Sequence, residues 1–368
     1  MNKIYYKNFK KVELENNYVM GTCMEMCPEA EIKMRERERL LHPFEMLVGT
    51  ERDILPKADK TRTVKSFSRS AAGKLMPDPR SLRPPDILVK TVSYLLDDVI
   101  SRTGVQWRVI YDFVMDRLRS VRQDMIIQNI SRQHQINILQ PIVKFLAFAS
   151  YKLCEESIHD FDPHINDSHL QECLKRLLCM YDYCDEMEKS TDGDKNGYSD
   201  ESRSYFEAMY VVFNLGNTTA ITRAVNLPNK WKNVLVKRTV EMSLARSNNN
   251  FVRLCRLIEL LPPLLAALAY LHLPSLRRDC FKIMSNAYSS KNLFFPVAVL
   301  QKILLYNNED EIVSDCNYYG IKVKENGVVF LKTDFDSKKP VVSLKRRSVV
   351  LDEKFSCLDI SAVILSCQ

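Results

Sequence analysis

Residues 296–331 read PVAVLQKILLYNNEDEIVSDCNYYGIKVKENGVVFL, and their order of elements is the most specific structural pattern in the chain. Residues 296–306 and 309–319 each have the apolar spacing of a short helix, and Gly320 suits the C-terminal cap of the second helix. An Asn-Gly pair then separates two runs rich in β-branched residues, which is the strongest short-range signal for a β-hairpin. Two helices followed by a hairpin predict a winged helix.

Upstream of this unit, helical patterns fill most of the chain. From Asp86 onward, apolar residues recur every three or four positions, as at Trp107, Ile110, Val114 and Leu118. Nine of the 368 residues are glycine. This share of about 2.4% is well below the usual share of about 7% and disfavours tight β-turns and glycine-rich nucleotide loops. We therefore predict an all-α fold. It is an α-α superhelix of irregular helix pairs, similar to tetratricopeptide repeats, capped by the winged helix and its small β-hairpin.

The remaining sequence completes the predicted organisation. Pro28 suits the first position of a helix over 28–47, and five prolines between 49 and 85 predict an extended segment that wraps the domain surface. The predicted segments are an N-terminal arm (1–20), a signature helix with the extended segment (21–85), a helical-repeat domain (86–292), the winged helix (293–337) and a basic C-terminal tail (338–368).

Cysteine use and hydropathy bear on the compartment. The eleven cysteines are scattered at irregular spacing, and several sit on apolar helical faces. We interpret them as buried free thiols of a nuclear or cytoplasmic protein, because disulfides are rare in reducing compartments. The N-terminus has no signal-peptide core, and the most apolar stretch, 257–273, is too short and too broken to span a bilayer. We expect no membrane contact.

Charge and motifs limit the function classes. The 53 Lys and Arg residues exceed the 46 Asp and Glu residues, and the net charge of +7 permits contact with RNA or an acidic partner without demanding it. The sequence contains no GxSxG, GxxxxGK[ST], GxGxxG or HExxH motif. We therefore predict a protein that is not an enzyme and needs no cofactor.

Residues 192–203 partly match a calcium-binding loop. Side-chain oxygens occupy its first, third, fifth and ninth positions and Gly197 the sixth, but Arg203 stands where a bidentate glutamate is required. Because this ligand is missing, a polar loop between helices explains the segment better than a calcium site.

A group of histidines and cysteines within 26 residues is the other metal candidate, and it contains His159, His164, His169, Cys173, Cys179 and Cys184. It lacks the CxxC pair that structural zinc sites usually show, so core cysteines on an amphipathic helix explain it better.

The second helix of the predicted winged helix carries four acids and no base, so phosphates would repel it. We predict a protein-pairing surface there, with Tyr318 and Tyr319 as anchors, although both rings could instead pack under the hairpin. The basic run beyond the hairpin could bind RNA phosphates or form a solvated tail. Its residues are Lys338, Lys339, Lys345, Arg346 and Arg347.

An ordered set of motifs resembles the Sac-three/GANP family. The opening GTCMEMCPEAE at 21–31 is followed by VKSFSRSA at 64–71, LRP at 82–84, YDFVMDR at 111–117 and RQD at 122–124. The residues that match the opening signature are Gly21, Cys27, Pro28, Glu29, Arg35, Phe44 and Glu45. The resemblance implies a helical-repeat domain ending in a winged helix, related to PCI-type subunits.

The resemblance also implies partners. Such family members are non-catalytic scaffolds whose winged helix pairs with that of a PCI-domain protein. A small acidic protein of the proteasome-lid and export type binds beside it, and the joint surface can bind RNA. The chain by itself is expected to be monomeric.

Two roles follow from the family. The chain has no phenylalanine-glycine repeat arm and no long C-terminal helix for centrin-like partners, so it resembles short members. That implies a role in centrosome duplication, spindle assembly and mitotic progression, in the nucleus and cytoplasm and at the centrosome or spindle. The alternative is an RNA-binding subunit of a complex like transcription-export two, which serves nuclear mRNA export.

Overall fold

The computed structural model describes residues 19–69, 78–188, 199–325, 327–342 and 346–366. The predicted arm at 1–20 lies almost entirely outside these residues, as do Lys345 and most of the calcium-loop candidate.

The chain divides into two compact units, Met1–Ile138 and Leu139–Gln368, and both are built mainly of helices. The all-α class predicted from spacing and glycine content is confirmed. No helix in the described part of the chain has the length and apolarity needed to cross a membrane. The five predicted segments remain a prediction.

The described part of the first unit contains three helices and the start of a fourth, α4 (Arg132–Lys152). These three are α1 (Glu29–Arg37), α2 (Pro85–Tyr94) and α3 (Trp107–Ile127). Short 3-10 turns lie at Pro43–Glu45 and Pro79–Ser81, and a π turn at Leu95–Val99 extends α2. One face of α3 supplies much of the core through Ile110, Val114, Leu118, Val121 and Met125, which are all buried.

Helix α1 is shorter than the predicted helix over 28–47. Pro28 is its N-cap, and Glu29 and Glu31 complement the positive end of its dipole. The helix ends at Arg37 because Arg39 adopts a φ of 57°, which a right-handed helix cannot continue. Residues 46–69 then form no helix.

The second unit is organised around α6 (Asp200–Phe213), whose residues from Ser202 to Val212 are all buried. It packs against four other helices: α5 (Pro163–Glu188), α7 (Thr218–Val225), α8 (Val234–Ser247) and α10 (Pro263–Tyr270). Two further helices complete this part, α9 (Phe251–Ile258) and α11 (Leu273–Ala287). Neighbours in sequence also pack in space here, as do α8 and α9.

Residues 288–337, called the terminal module below, follow α11. Their elements are β1 (Phe295–Pro296), α12 (Val297–Ile303), α13 (Glu309–Tyr318), β2 (Lys322–Lys324) and β3 (Gly327–Val329). The antiparallel sheet has the order β1-β3-β2 and pairs Phe295 and Val323 with Val328. The predicted hairpin is therefore present, and β1 is an additional strand that the sequence did not suggest.

The predicted tail contains two helices, α14 (Val349–Ser356) and α15 (Ile360–Leu365). The Phe355 ring packs against Phe148 with centroids 5.3 Å apart. The Tyr151 hydroxyl donates a 3.1 Å hydrogen bond to the carbonyl of Ser348. Residues 346–366 are thus part of the folded second unit.

Candidate functional site

Two residues of the opening signature, Arg35 and Glu45, and residues of the later family motifs meet around two buried carboxylates in the first unit. Glu45 is one of them and is fully buried. Its Oε2 accepts hydrogen bonds from Nη2 of Arg35 and, at 3.0 Å, from Nη2 of Arg117. Its Oε1 accepts the backbone N–H of Val64 at 3.1 Å. A carboxylate without access to water needs such partners, and here two arginines supply them.

Asp124 is the second buried carboxylate. Its Oδ2 accepts a 2.8 Å hydrogen bond from Nε of Arg83, and its Oδ1 lies 2.7 Å from Nζ of Lys65. Arg83 also donates to Oγ of Ser120 at 2.9 Å. We call Glu45, Asp124 and their four cations, Arg35, Lys65, Arg83 and Arg117, the signature cluster. It attaches the extended segment to α3.

Gly21 fixes the start of the chain that leads through α1 and the extended segment to α2; residues 21–69 and 78–84 are called the wrapped segment below. Its N–H donates a 2.8 Å hydrogen bond to Oε1 of Gln128, and the Gln128 amide donates in turn to the carbonyl of Arg83 at 2.8 Å. A Cβ added at Gly21 would lie 2.3 Å from the carbonyl oxygen of Leu82. Only glycine therefore allows the chain to pass this close.

The other signature residues are mainly structural. Cys27 is buried, and burial raises the pKa of its thiol well above the ordinary value. Glu29 is exposed and pairs with Lys33 at 3.1 Å, which lowers the pKa of Glu29. Phe44 is buried, and its ring meets Phe113 edge-on at 5.3 Å. The one thiol of this set, Cys27, is therefore inaccessible as a nucleophile.

His42 lies beside the cluster. Its Nδ1 accepts the backbone N–H of Phe44 at 3.2 Å, and its ring centroid lies 4.7 Å from that of Phe113. Burial lowers the pKa of His42 to about 4; Glu45 acts in the opposite direction, and Arg117 adds to the lowering. The imidazole is therefore neutral at physiological pH.

The two predicted anchor tyrosines lie in different environments. Tyr319 is 1% exposed and belongs to the core of the terminal module. Its ring stacks on Phe335 at 5.6 Å, and its hydroxyl accepts the N–H of Val342 at 3.1 Å. Tyr318 is half-buried and lies edge-on to Tyr319. The geometry of Tyr319 matches the alternative in which the ring packs inside the module.

The predicted basic run is partly neutralised within the chain. Arg346 lies 3.6 Å from Asp315, and Arg347 forms ion pairs with Glu155 at 3.2 Å and Asp352 at 3.3 Å. In contrast, Lys338 is exposed. Lys339 is partly buried, and its Nζ lies 4.9 Å above the Tyr318 ring. Of the four described cations, the two arginines are the ones that form ion pairs among the described residues.

The structure also shows an apolar edge on the terminal module that sequence reasoning missed. Tyr288, Leu293, Phe294 and Val299 are 49%, 60%, 55% and 44% exposed. Residues alternate between the two faces of a strand, and Phe295 packs into the core, so Phe294 faces outward. The clue in the sequence was Leu-Phe-Phe at 293–295, three large apolar residues in a row before a proline. These four residues are called the module edge below.

Lys322 and Lys324 share the outward face of the sheet, because Val323 between them packs into the core. Lys322 pairs with Asp334 at 3.4 Å. The terminal module thus exposes both apolar side chains and cations.

The metal candidates give a different picture. Asp200 accepts a 2.8 Å hydrogen bond from Nε1 of Trp231, and Arg203 is buried against Asp182 at 2.6 Å. The last positions of the calcium-loop candidate are therefore the first residues of helix α6 and bond to other side chains of the second unit. Residues 192–198 lie outside the described residues. Within the described ranges, no three His, Cys, Asp or Glu residues are placed to hold a metal ion, and Cys173 lies in the core.

Comparison with known proteins identifies the family to which the chain is similar. The model of the SAC3/GANP family matches residues 26–325. SAC3 family protein 1 of Schizosaccharomyces pombe is 27% identical over 346 residues, which cover 87% of this chain and 32% of that protein. SAC3 family protein B of Arabidopsis thaliana is 26% identical over 373 residues, which cover 94% of this chain and 21% of that protein. Protein xmas of Drosophila melanogaster is 26% identical over 326 residues, which cover 84% of this chain and 15% of that protein.

This chain spans a third or less of each of these relatives. The matched range includes Cys27 and all six residues of the signature cluster, Arg35, Glu45, Lys65, Arg83, Arg117 and Asp124. The chain belongs to the SAC3/GANP family.

Proposed function

We propose that this chain is a non-enzymatic scaffold whose terminal module is a winged helix that pairs with the winged helix of a PCI-domain protein. The observation that carries the proposal is the module edge. It exposes four large apolar side chains within residues 288–299, and large exposed apolar surface marks sites of protein association.

The chemistry of the buried groups supports a non-catalytic role. Burial raises the pKa of the Cys255 and Cys316 thiols to about 12, so both stay protonated at physiological pH. The two buried carboxylates of the signature cluster are saturated by cations. A general base or nucleophile needs the opposite properties, an accessible atom and a pKa near the working pH.

The proposed process is centrosome duplication, spindle assembly and mitotic progression, with the protein in the nucleus and cytoplasm and at the centrosome or spindle. The proposed partners are a PCI-domain protein and a small acidic protein of the proteasome-lid and export type, and the chain is monomeric without them.

The experiment is affinity purification of the tagged full chain with mass spectrometry, repeated with a Leu293→Asp/Phe294→Asp variant. Each carboxylate would be buried without a partner in the interface, so we expect at least a tenfold loss of the PCI-domain protein. Val349→Asp is the matched control, because Val349 is 56% exposed on α14. Full retention of the PCI-domain protein by the double variant would remove the module edge from the interface.

The second candidate function is RNA binding within a complex like transcription-export two. The exposed lysines of the sheet and of the run after it favour it, Lys324 and Lys338 in particular. Titration with a labelled oligouridylate at several salt concentrations tests it. Each phosphate contact adds about 0.7 to the slope of log affinity against log salt for single strands. Lys324→Gln/Lys338→Gln should reduce that slope, and a flat salt response in the wild type would exclude this function.

A further inference from the structure

A cleft lies away from the terminal module, where the first turn of α8 faces the turn between α9 and α10. It is a shallow depression, open to solvent, with a volume of about 480 Å³. Its walls are mainly apolar and consist of Val234, Leu235, Leu260, Leu261 and Pro262. We call it the α8 cleft.

The apolar walls of the α8 cleft are unusually open to water. Val234 is 71% exposed and Leu260 is 58% exposed, although Leu261 beside it is buried at 6%. One leucine of this turn therefore anchors in the core while its neighbour is presented outward. Covering Val234 and Leu260 would remove apolar surface from water, which favours association.

The cleft is preformed. Arg238 donates a 2.7 Å hydrogen bond from Nη1 to the carbonyl of Leu260, which joins the two walls. The Asn233 side chain accepts the N–H of Val236 at 3.0 Å and caps α8. Pro262 precedes a second proline at the start of α10, which restricts the backbone of that wall. Ordering of the site on ligand binding should therefore cost little free energy.

The charge around the cleft is mainly positive, and Glu259 beside the Leu260 wall is its one exposed acid next to a lining residue in the described chain. Residues 229–240 contain four cations and no acid. Lys230 pairs with Asp185 at 3.3 Å. Among the residues that the structure describes, no ion pair engages Lys232, Lys237 or Arg238. The N-terminal end of α8 adds partial positive charge at the same place, so the rim is complementary to an acidic ligand.

The wall chemistry favours a peptide over RNA. None of the cleft-lining residues is aromatic, so bases would find no surface on which to stack. We propose that the α8 cleft binds a short acidic segment of a partner protein. In this complex a branched aliphatic side chain of that segment lies between Val234 and Leu260, and flanking carboxylates pair with Lys237 and Arg238. This site is distinct from the module edge.

A random 12-residue peptide library displayed on phage tests the proposal. The library is selected on the full chain after depletion on a Val234→Asp/Leu260→Asp variant, which places two carboxylates on exposed wall positions. We expect enriched peptides that combine Leu, Ile or Val with Asp or Glu. A synthetic enriched peptide, measured by fluorescence anisotropy, should bind the double variant and Lys237→Glu at least about tenfold more weakly than the wild type.

Ile165→Asp is the matched control, since Ile165 is 54% exposed on α5 and lies outside the cleft. It should bind the peptide as the wild type does. Leu293→Asp/Phe294→Asp should also keep the peptide, while the cleft variants keep the PCI-domain protein, so the two proposals can fail separately.

Three outcomes would overturn the proposal. One is that every enriched peptide binds the Val234→Asp/Leu260→Asp variant as tightly as the wild type. Another is that the enriched peptides are basic. The third is self-association of the wild type that Val234→Asp abolishes in sedimentation velocity, which would make this face an interface between two copies of the chain.

Discussion

Arg83 donates a 2.8 Å hydrogen bond from Nε to Oδ2 of Asp124, and neither side chain reaches solvent. The two residues are 41 positions apart, and Lys65 shares the same carboxylate. Buried ion pairs add little net stability compared with apolar packing, but removing one partner leaves a buried charge without compensation. The signature cluster is thus more important for fixing the path of the extended segment than for total stability.

The first prediction follows from this asymmetry. Asp124→Ala leaves Arg83 and Lys65 facing each other without a counter-charge, so we expect the free energy of unfolding to fall by about 3–5 kcal/mol. Urea unfolding followed by circular dichroism measures it. Lys33→Ala breaks an ion pair on the surface of α1 and should have no measurable effect. Equal results for the two variants would contradict this account.

The second prediction concerns pH. The pKa of His42 is about 4 in the folded chain and about 6.5 in the unfolded chain. Between these values the unfolded chain binds a proton that the folded chain refuses, so this residue lowers the free energy of unfolding as pH falls from about 6.5 to about 4. Above about 6.5 it has no such effect.

His42→Asn isolates the effect, because the asparagine oxygen can still accept the N–H of Phe44. The melting temperature of the wild type should fall more steeply than that of the variant across this window. Parallel curves would show that His42 is protonated equally in both states.

The third prediction separates the two tyrosines. Tyr319→Ala removes a ring from the core of the terminal module and should cost about 3–5 kcal/mol. Tyr318→Ala removes a half-buried ring and should cost about 1 kcal/mol or less. Hydrogen exchange of α13 amides distinguishes the two variants. Tyr318→Ala is therefore the variant suited to partner-binding assays, because a loss of binding by Tyr319→Ala would also reflect unfolding.

The fourth prediction concerns the end of the described chain. Nζ of Lys144 donates hydrogen bonds to the carbonyls of Ser366 at 2.7 Å and Val363 at 3.2 Å, at the C-terminal end of α15. Lys144→Met removes these bonds, so the amides of α15 should exchange at least about tenfold faster. Lys354→Met on the exposed side of α14 is the control. Unchanged exchange in both variants would show that apolar packing alone holds α15.

Local patterns in the sequence predicted the local structure well. The spacing of Ile110, Val114 and Leu118 predicted α3, because one face of a helix repeats every three to four residues. The Asn-Gly pair predicted the β2–β3 hairpin for a similar reason, since the turn requires a residue type that few other positions need.

Features that depend on distant residues escaped prediction. The motif comparison placed Arg35, Glu45 and Arg117 in one family pattern, but no spacing rule shows that residues 72 positions apart share a carboxylate. Helix α14 buries Leu351 and Phe355, too few residues for a periodic signal. It forms because Phe148 and Tyr151 supply the surface that covers it.

The bond from Gly21 to Gln128 spans 107 positions of sequence, which has a consequence for synthesis on the ribosome. At a translation rate of about 5–20 residues per second, Gln128 emerges roughly 5–20 s after Gly21. During that interval α3 is not yet complete, so the wrapped segment cannot pack against it. The acidic and basic side chains of the segment stay hydrated. The first unit therefore closes late in its own translation, and codon choice between these two positions sets how long nascent-chain chaperones can reach the segment.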